Sequence, residues 1–400
     1  MKKLVYIHQF FRFPDSRGGT RSYDLSKQFI KQGYEVVVLT STNISSNGGW
    51  KYYKRDGISV YEIYIPYDNS FNKFQRVASF VKFLIKTTIK LLSIKSDIVL
   101  ATSTPLTIGI PALINKWFKK TPFIFEVRDV WPEAVIAIGA IRNKLVKNVL
   151  YSLEKIIYKN AHTIVPLSTD MQKSIVSRFP EFKNKSNVVI ENIAEVNRFQ
   201  SNVQPISIEK ILGFQPRFSV LYAGTFGKVN GLHKFIELAE KTILLDDKVV
   251  YILLGEGAEK QNVIKLAKDK NLLNRNVFIL NSITKNELPS WYKSVSMGAS
   301  FVIDIPELWA NSANKFFDTL ASAKPILINH EGWQAETIRT KSVGYILPYE
   351  ITEVEANRFV DYTKNFNLIS QQELNALELA KEKYSLEVAS NKYIKLLEKL

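Results

Sequence analysis

Apolar positions along this chain switch regularly between two periods. Short runs of strand type, "KLVYIHQF" (3–10), "YEVVVLTST" (34–42), "ISVYEIYI" (58–65), "DIVLAT" (97–102), "FIFEV" (123–127), "HTIVPL" (162–167) and "NVVI" (187–190), are separated by stretches of helical period over 21–32, 72–95, 106–119, 143–159 and 169–179. A polar, weakly periodic segment follows at 191–209. The series then restarts with "FSVLYAG", a helix from Leu232, "VVYILLGEG", "NVFIL", "SMGASFV" and "PILIN", and closes on a helical tail over 371–400. Strands alternating with helices predict parallel sheets wrapped by helices. Two series predict an α/β chain of two Rossmann-like domains, 1–197 and 198–382, with a cleft between them. Ligands of open parallel sheets sit beyond the carboxyl ends of the strands.

One helix of the second series is unusual. In "NSANKFFDTLASAKPI" (311–326), Ala313, Phe316, Phe317, Leu320 and Ala321 form the buried face and Pro325 ends the helix. Lys315 falls in the first turn, where the helix dipole disfavours a cation by about 0.3–1 kcal/mol. Asp318 lies one turn further in, on the opposite face. A helix N-terminus with a lysine makes a phosphate cradle, and a bound anion reverses the penalty. Asp318 would then accept from ribose hydroxyls. A solvated lysine and a surface aspartate account for this segment equally well.

Three loops join a strand to a helix. They hold Gly18 and Gly19 ("SRGGTR"), Gly224, Thr225, Gly227, Asn230 and Gly231 ("AGTFGKVNGL"), and Gly255, Glu256 and Gly257 ("LGEGAEK"). Glycine lets backbone approach a ligand ahead of a helix N-terminus, although such turns also need it for geometry alone. Neither longer loop fits G-x-G-x-x-G with an acidic residue on the next strand, which argues against a nicotinamide site. "FEVRDVWPEAV" (125–135) gathers Arg128, Asp129 and Glu133 beyond a strand, a place for acid–base or acceptor-binding work. Alternatively, Pro132-Glu133 merely opens the next helix and Arg128–Asp129 is a surface pair.

The net charge of +16 calls for an anionic partner: nucleic acid, anionic lipid or a phosphorylated substrate. The absence of cysteine removes disulfides and thiolate metal sites, and the four histidines are scattered, which argues against zinc. The basic N-terminus is broken by His8, Gln9 and Arg12 and reads as a strand, not a signal peptide. No segment approaches the ~18 apolar residues of a membrane span. The stretch 71–97 carries Lys73, Arg76, Lys82, Lys86, Lys90 and Lys95 with no acid before Asp97. Its expected inward face is Val77, Phe80, Val81, Leu84 and Leu91. Its lysines then face solvent or an anionic lipid surface, worth about 1 kcal/mol per basic residue.

Taken in order, "GGTRSYDLSKQFIKQGYEVVVLTS", "VRDVWPE", "YAGTFGKVNGL", "LLGEGAEK" and "ELWANSANKFFDTLASAKPI" resemble glycosyltransferase family 4, retaining enzymes of the GT-B fold. They resemble in particular a branch that builds bacterial O-antigen and capsule repeats and includes L-fucosamine transferases. The resemblance implies that the second domain holds a sugar nucleotide. Its phosphates would lie near Gly224, Thr225 and Lys315, its ribose on Asp318, and its base near Leu280 to Ser282. Asn230, Gly231, Gly255, Glu256 and Asn314 would complete the donor site, with Gly18-Gly19 closing over the diphosphate. The acceptor would meet Arg128, Asp129 and Glu133, the catalytic set with Lys315. The last helix, about 383–400, would cross back to the first domain.

Two positions depart from the family. Its Glu-x7-Glu pair falls on Ala310 and Asp318, leaving Glu307, Trp309 or Asn311 for the first role. Its Arg–Lys diphosphate clamp falls on Thr225 or Phe226 and on Asn230, with Lys228 as a substitute. The implied activity is transfer of an N-acetylated amino sugar such as L-FucNAc from UDP to an undecaprenyl-diphosphate-linked acceptor. The enzyme would be peripheral on the cytoplasmic face of a bacterial membrane and would use no metal, cofactor or nucleic acid. The rivals are a GT-B UDP-sugar 2-epimerase and a non-catalytic binder of nucleic acid or anionic surfaces.

Overall fold

The computed structural model describes residues 1–45, 48–66 and 71–400, with backbone alone at positions 73 and 76. One sheet contains β1 (Lys3–Ile7), β2 (Glu35–Thr42), β3 (Trp50–Arg55), β4 (Ile58–Tyr64), β5 (Ile98–Thr102), β6 (Phe123–Val127) and β7 (Thr163–Pro166), in the order β3-β4-β2-β1-β5-β6-β7. Only β3 is antiparallel. The other contains β8 (Phe218–Ala223), β9 (Val249–Leu254), β10 (Val277–Leu280), β11 (Met297–Ser300), β12 (Ile326–Ile328) and β13 (Gly344–Ile346), all parallel, in the order β10-β9-β8-β11-β12-β13. Helices cover both faces, so inner strands such as β5 and β6 are buried along their whole length and read as unbroken apolar runs. Both domains have the expected Rossmann-like form.

Four local expectations need correction. β3, "WKYYKR", is an edge strand exposed on most of its length, so it lacks the apolar run of an inner one. "NVVI" is not a strand: Ile190 donates to the carbonyl of Pro166, but proline has no N–H to return and the ladder stops. The helical tail is two helices, Phe366–Glu382 and Leu386–Leu397, the second capped by Ser385 accepting from the Val388 N–H. Helix Lys73–Ser93 turns inward Ser79, Phe83, Thr87 and Leu91, while Val77 and Val81 are exposed. Both of its sides are apolar, so periodicity alone does not choose between them.

The chain passes between domains twice, side by side. Ala194 N donates to Tyr384 O at 2.8 Å, and Ala194 forms a parallel bridge with Ser385. Helix Leu386–Leu397 then packs on helix Arg21–Lys31, with the Phe29 and Tyr393 rings 5.9 Å apart, edge to face. Tyr393 Oη donates to Glu126 Oε2 (2.9 Å) and Arg21 Nε to Oε1 (2.9 Å), on β6, between β5 and β7 of the first sheet. Burial pushes the Glu126 carboxyl up. Arg21, Arg128 and these hydrogen bonds outweigh it and hold the group below its ordinary value.

Candidate active site

The carboxyl ends of the two sheets enclose two cavities of about 460 and 500 Å³. Arg17, Gly18, Gly19, Ala313, Asn314 and Lys315 line both and form the wall between them. Gly18 has φ +110°, where a side chain is strained. A Cβ on Gly19 would stand 2.4 Å from Asn314 Nδ2, so a side chain here would displace the Asn314 amide where the two domains meet.

Lys315 is half-buried near the start of helix Asn314–Ala321, three residues later than the sequence pattern suggested. Residues 311–313 form a non-helical lead-in. Among the described residues no side chain caps this helix; Phe316 N donates to Ala313 O (3.1 Å), and the Asn314 and Lys315 N–H groups ahead of it are left for another acceptor. The Lys315 ammonium lies 4.7 Å from the centre of the Tyr222 ring. Its Cε would be 2.5 Å from a Cβ on Gly224. Among the described residues, no carboxylate forms a salt bridge with it. Burial lowers its pKa to about 8, with Asp318 opposing.

Asp318 lines the second cavity, but its carboxylate is already engaged. Lys285 Nζ donates to both its oxygens at 2.5 Å, and both side chains are buried. Burial raises the Asp318 pKa, and Lys285 only partly compensates. The backbone N–H groups of Lys285 and Asn286 donate to Ser16 O and Pro14 O, fastening this loop to the first domain. Glu195, in the interdomain linker, is pushed up to about 7 by burial and by Asp24, against Arg198 and Lys285. Arg198 NH2 reaches Asp24 Oδ1 at 2.7 Å and Glu195 Oε2 at 3.5 Å. A chain of buried charges therefore runs from helix Arg21–Lys31 to the second cavity.

In the first cavity, Thr104 Oγ1 donates to Asp129 Oδ2 (2.6 Å) and the Arg128 N–H to Ser103 Oγ (2.9 Å). Arg128 NH1 stands 3.5 Å from His8 Nε2, and His8 Nδ1 lies 2.9 Å from Ser22 Oγ. Burial first, then Arg128 and Arg12, keeps the His8 pKa well below its ordinary value, so the imidazole is neutral. A neutral ring accepting from Arg128 carries its proton on Nδ1. Arg12, Arg17, Arg128 and Lys315 line this cavity, with Asp129 as the single carboxylate among the described lining residues. It is a place for anions.

Of the expected residues, Gly18, Gly19, Arg128, Asp129, Gly224, Thr225, Asn230, Glu256, Ser282, Asn314, Lys315 and Asp318 line the cavities. Four do not. Glu133 is turned away, accepting from Tyr151 Oη (3.1 Å) and paired with Arg178 (3.3 Å), because Pro132-Glu133 opens a short helix. Gly231 and Gly255 are structural: a Cβ would meet Val302 O at 2.7 Å and Gly224 O at 1.9 Å respectively. Leu280 packs into the core. Lys228 is exposed and lines neither cavity, so it does not fill the vacant clamp position. Arg17, His8, Arg12 and Lys285 were not singled out by sequence. Of these, only Arg17 carried a signal, as the cation preceding Gly18-Gly19. Among the described residues, no group of acidic and histidine side chains is arranged to hold a metal ion.

Comparison with known proteins agrees with this two-domain fold. A family model described as "Glycosyl transferase 4-like domain" matches residues 18–192, and one described as "Glycosyl transferases group 1" matches residues 204–359. The chain belongs to the family 4-like glycosyltransferases. The chain is 26% identical over 254 residues to an uncharacterized glycosyltransferase of Methanocaldococcus jannaschii, a match covering 61% of this chain and 59% of the relative. It is 22% identical over 303 residues to Escherichia coli WcaI, named for colanic acid biosynthesis glycosyl transfer, covering 70% and 72%. Anabaena HepE, solved in complex with UDP-glucose, superposes with a TM-score of 0.73 at 14% identity over the whole of both chains. The fold is therefore GT-B, and this family 4-like protein is a hexosyltransferase.

Proposed function

We propose that this glycosyltransferase takes a UDP-sugar into the cavity of Gly224, Glu256 and Ser282 and passes the sugar, with retention, to an acceptor in the cavity of Arg128 and Asp129. The observation that carries the reading is Lys315: a desolvated ammonium with no salt-bridged carboxylate among the described residues, at an uncapped helix start, between the two cavities. A diphosphate leaving group supplies the missing charge as it departs, when such a cation stabilises most. Arg17 faces the same wall and takes the place of the vacant clamp.

The acceptor is an undecaprenyl-diphosphate-linked sugar, and the donor sugar an N-acetylated amino sugar such as L-FucNAc, in O-antigen or capsule assembly. The excess of arginine in the first cavity favours a second diphosphate, and the protein works at the cytoplasmic face of the membrane. No metal enters the chemistry. Asp318, already paired with Lys285, offers its remaining lone pairs to the ribose.

The test is thermal unfolding with UDP, GDP, ADP or NAD in EDTA. A ligand at ~100 times its dissociation constant stabilises by about 2.7 kcal/mol. Protection by UDP alone is expected. Protection by NAD alone overturns the reading.

A further inference from the structure

We infer that the outer face of the helices Lys73–Ser93, Gly109–Lys119 and Lys144–Asn160 inserts apolar side chains into an anionic lipid leaflet. Only its purpose rests on the lipid-linked acceptor reading above. The first helix packs on the second and the second on the third. With Ser79, Phe83, Thr87 and Leu91 turned inward, Phe74, Val77, Val81, Ile85 and Ile89 form an outward stripe, Phe74 87% and Ile89 64% exposed. Lys119 Nζ donates to Ile94 O at 3.0 Å, which brings exposed Trp117 and Phe118 to the end of that stripe. The third helix exposes Leu145, Val146 and Val149. Single exposed apolar residues need no explanation, but a run across packed helices marks a contact surface.

Charge selects the occupant. The three helices contain one carboxylate between them, Glu154, buried against Arg178. Lys82, Lys86, Lys95, Lys120 and Lys144 are exposed around the apolar stripe. Lys90 is turned toward the protein, 3.8 Å from the centre of the Tyr61 ring, and so leaves the lysine face expected from sequence. The side chains of Lys73 and Arg76, also part of that expectation, lie outside what the structure describes. Apolar tips flanked by exposed lysines fit an anionic leaflet, with hydrocarbon for the tips, headgroups for the ammoniums and an interfacial level for Trp117. A second copy fits poorly, because a twofold contact sets lysines against lysines. Ser79 Oγ donates to Pro66 O at 2.7 Å, so the helix starts beyond the carboxyl end of β4, on the same side of the sheet as the first cavity. A leaflet here presents a lipid-held acceptor at the mouth of the site.

Vesicle flotation without nucleotide tests this, using phosphatidylcholine alone or mixed with phosphatidylglycerol. The wild type is expected to float with the mixed vesicles and to retain part of that binding at high salt, where bare electrostatic attraction is screened. Val81→Asp/Ile85→Asp, with melting and UDP protection unchanged, is expected to lower binding roughly tenfold at any salt. Lys82→Glu/Lys86→Glu is expected to lower it roughly tenfold at low salt only. Wild-type protein that floats with neither vesicle, or a Val81→Asp/Ile85→Asp protein that floats like wild type, overturns the inference. So does a dimer in solution that this variant dissolves. Vesicle binding without any UDP response overturns the UDP-sugar reading and leaves this one standing.

Discussion

Replacing Lys315 by methionine should make the empty protein more stable and the enzyme useless. In the folded chain Lys315 has a pKa of about 8 against an ordinary 10.5, lowered by burial. Between those values the unfolded chain holds a proton the folded one lacks, so stability rises with pH across that window. Below it the cost of the buried charge is present in full, roughly 3 kcal/mol at pH 7. Methionine keeps the stem and removes the charge. It also removes the contact with Tyr222, which offsets about 1 kcal/mol. The net gain is about 1–2 kcal/mol, a rise of a few degrees in melting temperature. Protection by UDP should vanish and turnover fall roughly tenfold or more. A second signature is the pH dependence of UDP affinity. In the wild type, affinity should fall about tenfold per unit as pH rises through 8, because the bound anion requires the protonated amine. Subtracting the profile of Lys315→Met cancels the nucleotide's own ionisation. A variant that melts no higher than wild type at pH 7 and still responds to UDP would refute the reasoning.

Removing Lys285 alone leaves Asp318 as an unpaired buried carboxylate, so Lys285→Met should cost about 3–5 kcal/mol in urea unfolding. Lys285→Met/Asp318→Leu should recover most of that loss, and two single losses that simply add would show the pair to be uncoupled. Glu195 binds a proton in the folded state between its ordinary 4.5 and about 7, so it costs stability as pH rises through that window. Glu195→Gln should therefore match wild type near pH 4.5 and exceed it by roughly 1–3 kcal/mol at pH 8, read by urea unfolding at both pH values. Asp129→Asn should lower turnover at least roughly tenfold, whereas Glu133→Gln should leave turnover and acceptor KM unchanged and cost under about 1 kcal/mol of stability. Equal kinetic loss in both variants would return Glu133 to the site.

The parallel sheets were legible because inner strands are covered on both faces, as with "IVLAT" and "FIFEV". β3 was not, because an edge strand faces water and reads like a loop. The cavity lining was legible where backbone makes it: Gly18, Gly19, Gly224 and the helix start at Lys315 stand out through residue types that fit poorly elsewhere. Contacts between distant side chains left no such trace. Lys285 reaches Asp318 across 33 positions, and His8 meets Arg128 across 120. Neither lysine nor histidine is unusual in its own neighbourhood. Helix Lys73–Ser93 shows the opposite case, in which the pattern was clear but two apolar sides competed and tertiary packing chose.

The helix that ends the chain's path has a consequence for how the protein is made. Tyr393 completes the hydrogen bonding of Glu126, and Leu396 and Leu397 fill the core beneath β1 and β2. During synthesis these residues leave the ribosome only after the whole second sheet. The domain translated first must therefore wait, with Glu126 short of one donor, while its neighbour emerges and folds. Birth order and completion order are reversed, and a ribosome that stalls before residue 393 leaves the first domain unfinished.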